Sequence, residues 1–160
     1  MEEENVKSKK KAQYEQRILP YLLYRDVGKA MTWLNKAFGL KETGESFKGE
    51  DGAIQHAAMK LPNDVDVIMM GCPGPKYKNP KKLGSVTQML YIYVDDADKH
   101  FARAKKAGAK VLEKPSDTFY GERRYGVTDP EGHQWFFAHV VQQMSMKEMK
   151  AAHKSAGANS

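Results

Sequence analysis

Residues 18–39, ILPYLLYRDVGKAMTWLNKAFG, open the patterned part of the chain and set its rhythm. ILPYLLY reads as a buried strand, and Asp26 stands where a short polar side chain caps a helix N-terminus. Beyond it, Val27, Ala30, Met31, Leu34, Ala37 and Phe38 recur at the i, i+3, i+4, i+7 spacing of one helical face. Gly39 supplies the C′ residue on which such helices end. Three strand-like runs follow, near 40–48, 52–61 and 65–71, divided by turn signals at Gly49-Glu50-Asp51-Gly52 and Pro62-Asn63-Asp64. The order is β-α-β-β-β.

The same order then returns. TQMLYIYV (87–94) is strand-like, Asp95 or Asp96 caps a helix running through Ala107, and Gly108 ends it. Strands are expected near 109–113, 122–128 and 133–140, with the turn Asp129-Pro130-Glu131-Gly132 before the last. A shift of about 69–70 residues superimposes the two runs of punctuation and periodicity, so we read a tandem βαβββ duplication of the α+β class. Each unit's helix covers one face of its sheet, and the other face must curl around a partner unit or a ligand.

This divides the chain into a charged arm (1–17), a first module (18–71), a linker (72–84), a second module (85–141) and a terminal segment (142–160). The arm has no sustained apolar face, which predicts a mobile arm or frayed helix. The linker, CPGPKYKNPKKLG, is rich in proline and lysine and has no periodicity. The terminal segment holds a helix candidate, MSMKEMKAAHK, in which Met144, Met146 and Met149 make no single stripe.

The formal charge of +6 over 160 residues is spread out. The arm carries a net +1, residues 142–160 a net +2 and the remainder +3. Lys76, Lys78, Lys81 and Lys82 form the densest basic cluster and read as solvated linker lysines, which argues against nucleic-acid binding. One cysteine, Cys72, allows neither an intrachain disulfide nor a Cys-based zinc site. The absence of an apolar h-region or an 18-residue apolar run predicts a cytoplasmic protein without a membrane partner. No GxSxG, Walker, HExxH or dinucleotide motif supports a hydrolase, NTPase or zincin.

The entry segment YLLYRDVGKAMTWLNKAFG, the stretch IQHAAMKLPNDVDVIMM and above all FYGERRYGVTDPEGHQWFF resemble the vicinal-oxygen-chelate superfamily. Its members include glyoxalase I, extradiol dioxygenases and bleomycin- and fosfomycin-resistance proteins. The resemblance covers about residues 18–141. It implies two modules forming an incomplete barrel around a pocket, commonly with a second chain packed against it, hence a homodimer. In metal-using relatives the ligands come from the first and last strands of each module. Matched by motif, those positions fall on Leu19, Met89, Phe136 and either Ile68 or Met69, none of which offers an oxygen or imidazole donor. Gln88 and His139 are isolated neighbours. The resemblance therefore implies a branch without the usual metal ligands, similar to bleomycin-resistance proteins, in which a groove free of metal or other cofactor binds an organic molecule.

Strand alternation places Tyr21, Tyr91, Gln134 and Ala138 on the face of Leu19, Met89 and Phe136. These residues either line a tyrosine-bearing pocket for a planar ligand or fill the barrel. In Tyr120-Gly121-Glu122-Arg123-Arg124-Tyr125, Arg124 suits a ligand carboxylate or phosphate, or pairs with Glu122 or Asp129 to fix the loop. Tyr120 joins it as a ligand-binding candidate. His56 and Glu122 are candidates for proton transfer, with Tyr21 beside them; His56 also reads as a packed strand histidine. Trp33, Trp135 and Phe101 are expected in the core, and His100 on the solvent side of its helix. Three functions compete: metal-independent sequestration of a small hydrophobic or aromatic molecule, a lyase, isomerase or epimerase acting on a small metabolite, and a dimeric interaction module.

Overall fold

A computed structural model describes residues 15–157. Its elements are β1 (Tyr21–Leu23), α1 (Val27–Phe38), β2 (Lys41–Lys48), β3 (Ile54–Lys60), β4 (Val67–Gly71), α2 (Pro80–Leu83), β5 (Leu90–Tyr93), α3 (Ala97–Lys106), β6 (Lys110–Asp117), β7 (Glu122–Thr128), β8 (Gln134–Val140) and α4 (Met146–Gly157). They build two four-stranded sheets of identical topology, β1-β4-β3-β2 and β5-β8-β7-β6. In each, the first strand lies parallel to the last and the other pairings are antiparallel. The duplication expected from the punctuation is thus present strand for strand, and the sheets do not close into a barrel.

Local chemistry sets the helix ends. Asp26 Oδ1 accepts from Lys29 N, and Asp96 Oδ1, not Asp95, accepts from Lys99 N, each at 3.0 Å. Gly39 (φ 75°) and Gly108 (φ 89°) take the left-handed conformation that lets the chain leave its helix at low cost.

One buried cluster draws on both modules, with Trp135, Tyr125, Phe38, Phe137, Leu34 and Leu40 nearly inaccessible. Phe38 is its hinge point, with ring centroids of Trp33, Trp135 and Phe137 at 5.1, 5.1 and 4.7 Å. The two helices lie side by side across this core. Arg103 donates to the Asn35 and Lys36 carbonyls at 2.8 and 2.9 Å, placing its charge on the C-terminal end of α1. Trp33 Nε1 donates to Ala107 O at 3.0 Å.

Three expectations change. His100 does not face solvent: it completes an Ala97, His100, Phe101, Ala104 stripe, packs tilted against Phe137 with ring centroids 4.2 Å apart and bonds the Tyr125 hydroxyl at 2.5 Å. Burial pulls its pKa down to about 4. The linker holds one helical turn, α2, capped by Asn79, whose side chain accepts from Lys82 N at 2.9 Å. Within the arm, residues 1–14 lie outside the described residues, but Gln16 is tied to the first sheet, accepting from Val67 N at 2.6 Å. The helix expected in the terminal segment is present as α4 and buries none of its residues. Among the described residues, no helix is long and apolar enough to cross a membrane.

Candidate functional site

Each helix covers one face of its sheet, leaving an open face opposite. Register fixes which residues lie there. Tyr21 pairs with Met69 and Ala58 lies beside Met69; in the second sheet Tyr91 pairs with Phe136, and Phe136 with Gly126. Met69, not Ile68, is therefore the counterpart of Phe136, since Ile68 points into the core. One row further on, His56 pairs with Gly71 as Arg124 pairs with Ala138. The two open faces thus present equivalent positions with different chemistry.

On the second face, Glu122 is 9% exposed and accepts hydrogen bonds from two phenols, Tyr91 and Tyr93, the latter at 2.5 Å. Arg124 grips Glu113 through Nε (3.0 Å) and Nη2 (2.8 and 3.0 Å) and donates from Nη1 to the Tyr120 hydroxyl at 3.1 Å. Its guanidinium lies 5.2 Å from the centroid of Phe136, within reach of a cation–π contact. That overlap depends on Gly126, because a Cβ there would come within 2.5 Å of the Phe136 ring. Burial, then the bond to Glu122, pushes the Tyr91 pKa above its ordinary value, and the Glu122 bond raises Tyr93. Both phenols therefore stay protonated at neutral pH as fixed donors to Glu122, with their rings turned outward: Tyr91 is 39% and Tyr93 64% exposed.

The first face carries a shorter chain. Glu45 Oε1 lies 2.9 Å from His56 Nε2, and His56 Nδ1 lies 2.9 Å from the Tyr21 hydroxyl. A carboxylate only accepts, so in the neutral ring the proton sits on Nε2 and Nδ1 accepts from Tyr21. Burial raises the Tyr21 pKa, consistent with a phenol that donates. The Tyr21 ring crosses Gly71, where any Cβ would collide with it.

The structure therefore gathers Tyr91, Tyr120, Arg124, Phe136 and Glu122 on one face, and Tyr21 with His56 on the other. Met89 is exposed just before β5, and Gln134 is half-buried at the start of β8 beside Thr128. Among the described residues, no hydrogen bond or ring contact joins Tyr21 to the Tyr91 cluster. Arg124 pairs with neither Glu122 nor Asp129. Arg123 is the structural arginine, held on the helix side by Asp98 (2.7 and 3.0 Å) and Asp117 (3.0 Å). Asp129 closes the Asp-Pro-Glu-Gly turn instead, accepting from Tyr24, Trp135 and the backbone of Glu131 and His133. Sequence reasoning missed Glu45, Glu113 and Tyr93; only Tyr93, two residues from Tyr91 in one strand, carried a readable signal.

The family model described as Glyoxalase/Bleomycin resistance protein/Dioxygenase superfamily matches residues 17–137, spanning both modules. The chain belongs to this superfamily. An uncharacterised protein of Mycobacterium bovis is 33% identical over 146 residues, covering 89% of this chain and 95% of that protein. Among solved structures, TioX from Micromonospora sp. ML1 is 29% identical with a TM-score of 0.63, over 78% of this chain and 98% of TioX. A gene product of Arabidopsis thaliana is 25% identical with a TM-score of 0.58, over 78% of this chain and 98% of the plant protein. The side chains of Leu19, Met69, Met89 and Phe136 carry no oxygen or imidazole donor for a hard divalent cation. His139 is engaged elsewhere, its Nδ1 accepting from Ala97 N at 2.9 Å. Among the described residues, no three His, Cys, Asp or Glu side chains are grouped to hold a metal ion.

Proposed function

We propose that the open faces bind a small aromatic or otherwise planar organic molecule without metal, and that the protein acts by sequestering it in the cytoplasm. The observation that carries this reading is the Glu122 carboxylate holding two phenols while their rings face solvent. Such rings offer flat apolar area already fixed in orientation, which lowers the entropy cost of binding. Tyr120 and the paired Arg124, which lies over the buried Phe136 ring, extend the same surface. A second copy of the chain, laying its own open face against this one, would complete a closed groove, and the exposed Tyr21, Phe47, Met89 and Tyr93 supply the apolar area for that homodimer.

The test is a melting-temperature screen of aromatic compounds in the presence of a chelator, followed by the same screen on Tyr91→Ala/Phe136→Ala. Ligand bound to the native state at about 100 times its Kd adds roughly 2.7 kcal/mol. A stabilising compound whose effect disappears in the variant supports the reading; no stabilising compound in a broad panel counts against it.

A second reading, an isomerase or lyase, is favoured by the Glu45–His56–Tyr21 chain, in which Glu45 orients the imidazole and the imidazole can take the phenol proton. Turnover that His56→Gln and Tyr21→Phe each abolish, with ligand binding retained, would establish it.

A further inference from the structure

We propose a second, separate binding site for a small organic anion in the cleft between the inter-module segment and the β1–α1 turn. The cleft has a volume of about 910 Å³, within the range of small-molecule sites. Arg25 and Lys29 of the β1–α1 turn and Lys81 and Lys82 of the inter-module segment line it, together with two carboxylates, Asp26 and Glu131.

The charges in this cleft are unequally occupied. Glu131 is engaged within the fold, accepting from Arg25 N at 2.5 Å, Asp26 N at 3.1 Å and the Asn79 side chain. Asp26 caps α1 and pairs with Lys29 Nζ at 3.6 Å. By contrast, among the described residues the side chains of Arg25, Lys81 and Lys82 make no hydrogen bond or ion pair. Three uncompensated cations therefore border a concavity whose acids already have donors. Four cations against two carboxylates leave the lining with a net charge of +2, whose field a concavity focuses on counter-ions, and a carboxylate or phosphate is the group that guanidinium and ammonium donors match. Tyr77, 58% exposed on the same wall, adds a flat ring against which a planar body can stack. The ligand class is thus a planar molecule carrying a carboxylate or phosphate. None of the cleft's charged residues belongs to the Tyr91 or Tyr21 clusters, so this site stands or falls apart from the function proposed above.

The test is an amide-shift NMR titration of the labelled full chain, at fixed ionic strength, with two probes: inorganic pyrophosphate and isophthalate. Expected are saturable shifts centred on Arg25, Tyr77, Lys81 and Lys82 for both. The variant Arg25→Gln/Lys81→Gln/Lys82→Gln removes three side chains without partners and should weaken binding on the order of tenfold or more. Lys147→Gln/Lys150→Gln/Lys154→Gln on α4 removes the same charge from residues that do not line this cleft and should leave binding unchanged. Shifts that fail to saturate, or equal weakening by the two variants, would reduce the effect to diffuse attraction and overturn the site. Saturable binding of pyrophosphate with none of isophthalate would overturn the planar part of the ligand assignment.

Discussion

The Tyr24 hydroxyl donates to Asp129 Oδ2 at 2.6 Å, a buried bond that joins the first module to the last turn of the second across 105 residues. The same carboxylate oxygen takes the Trp135 indole N–H at 3.0 Å, and the other takes two backbone N–H groups. Tyr24→Phe removes one hydrogen bond to a charged acceptor and should cost about 1.5–3 kcal/mol. Asp129→Ala strands four donors and should cost more, roughly 3 kcal/mol or beyond. Urea unfolding of both variants checks the order; a smaller loss for Asp129→Ala than for Tyr24→Phe would contradict it.

His100 gives the fold an acid sensitivity. Its folded pKa, about 4, lies below the unfolded value of 6.5, so the unfolded chain binds the extra proton first as pH falls. The stability that His100 contributes is complete above about pH 6.5 and declines as pH drops toward 4. Replacing it by Gln should flatten that part of the profile, read as urea midpoints at neutral pH and near pH 5. A parallel decline in the variant would place the acid sensitivity elsewhere.

Gly126 and Gly71 are the floor on which two rings lie. Gly126→Ala should displace Phe136 from Arg124 and, as an overpacking change, cost about 1–3 kcal/mol. Gly71→Ala should swing Tyr21 off His56 by the same mechanism. Ring-proton shifts of Phe136 and Tyr21 report each displacement directly; unchanged shifts would show that the rings have room to spare.

Much of this was readable beforehand, for physical reasons that differ residue by residue. Asp26, Gly39, Asp96 and Gly108 announced two helices because caps are local chemistry. The unread parts depended on register and partners. The strand expected to stop at residue 113 continues through Pro115, which an edge strand tolerates because its outer N–H needs no partner. Between Val111 and Glu113 the pairing slips, so two residues of equal parity reach opposite faces and Glu113 meets Arg124. A similar slip between Glu42 and Ser46 accompanies the placing of Glu45 near His56. His100 satisfied the helical period, and only its polarity argued for the outside.

The α4 helix forms by capping. Ser145 and Glu148 exchange bonds, Ser145 N to Glu148 Oε2 at 2.6 Å and Glu148 N to Ser145 Oγ at 3.2 Å, a capping box written in the sequence as Ser-x-x-Glu. Because no residue of α4 is buried, deleting residues 146–160 should change unfolding free energy by less than about 1 kcal/mol, whereas Ser145→Ala should speed amide exchange within the helix alone. Calorimetry and hydrogen exchange separate the two effects.

The slipped registers of β2 and β6 have a further consequence for solubility. These are the long edge strands of their sheets, and an ordinary edge of eight residues invites endless strand addition by other chains. Here the irregular pairing, Pro115 and the charges of Lys41, Glu42, Lys110 and Lys114 spoil that template, while the opposite edges, β1 and β5, are only three and four residues long. Strand addition is thereby disfavoured along the edges of both sheets, so each sheet can keep an open face without growing edge to edge.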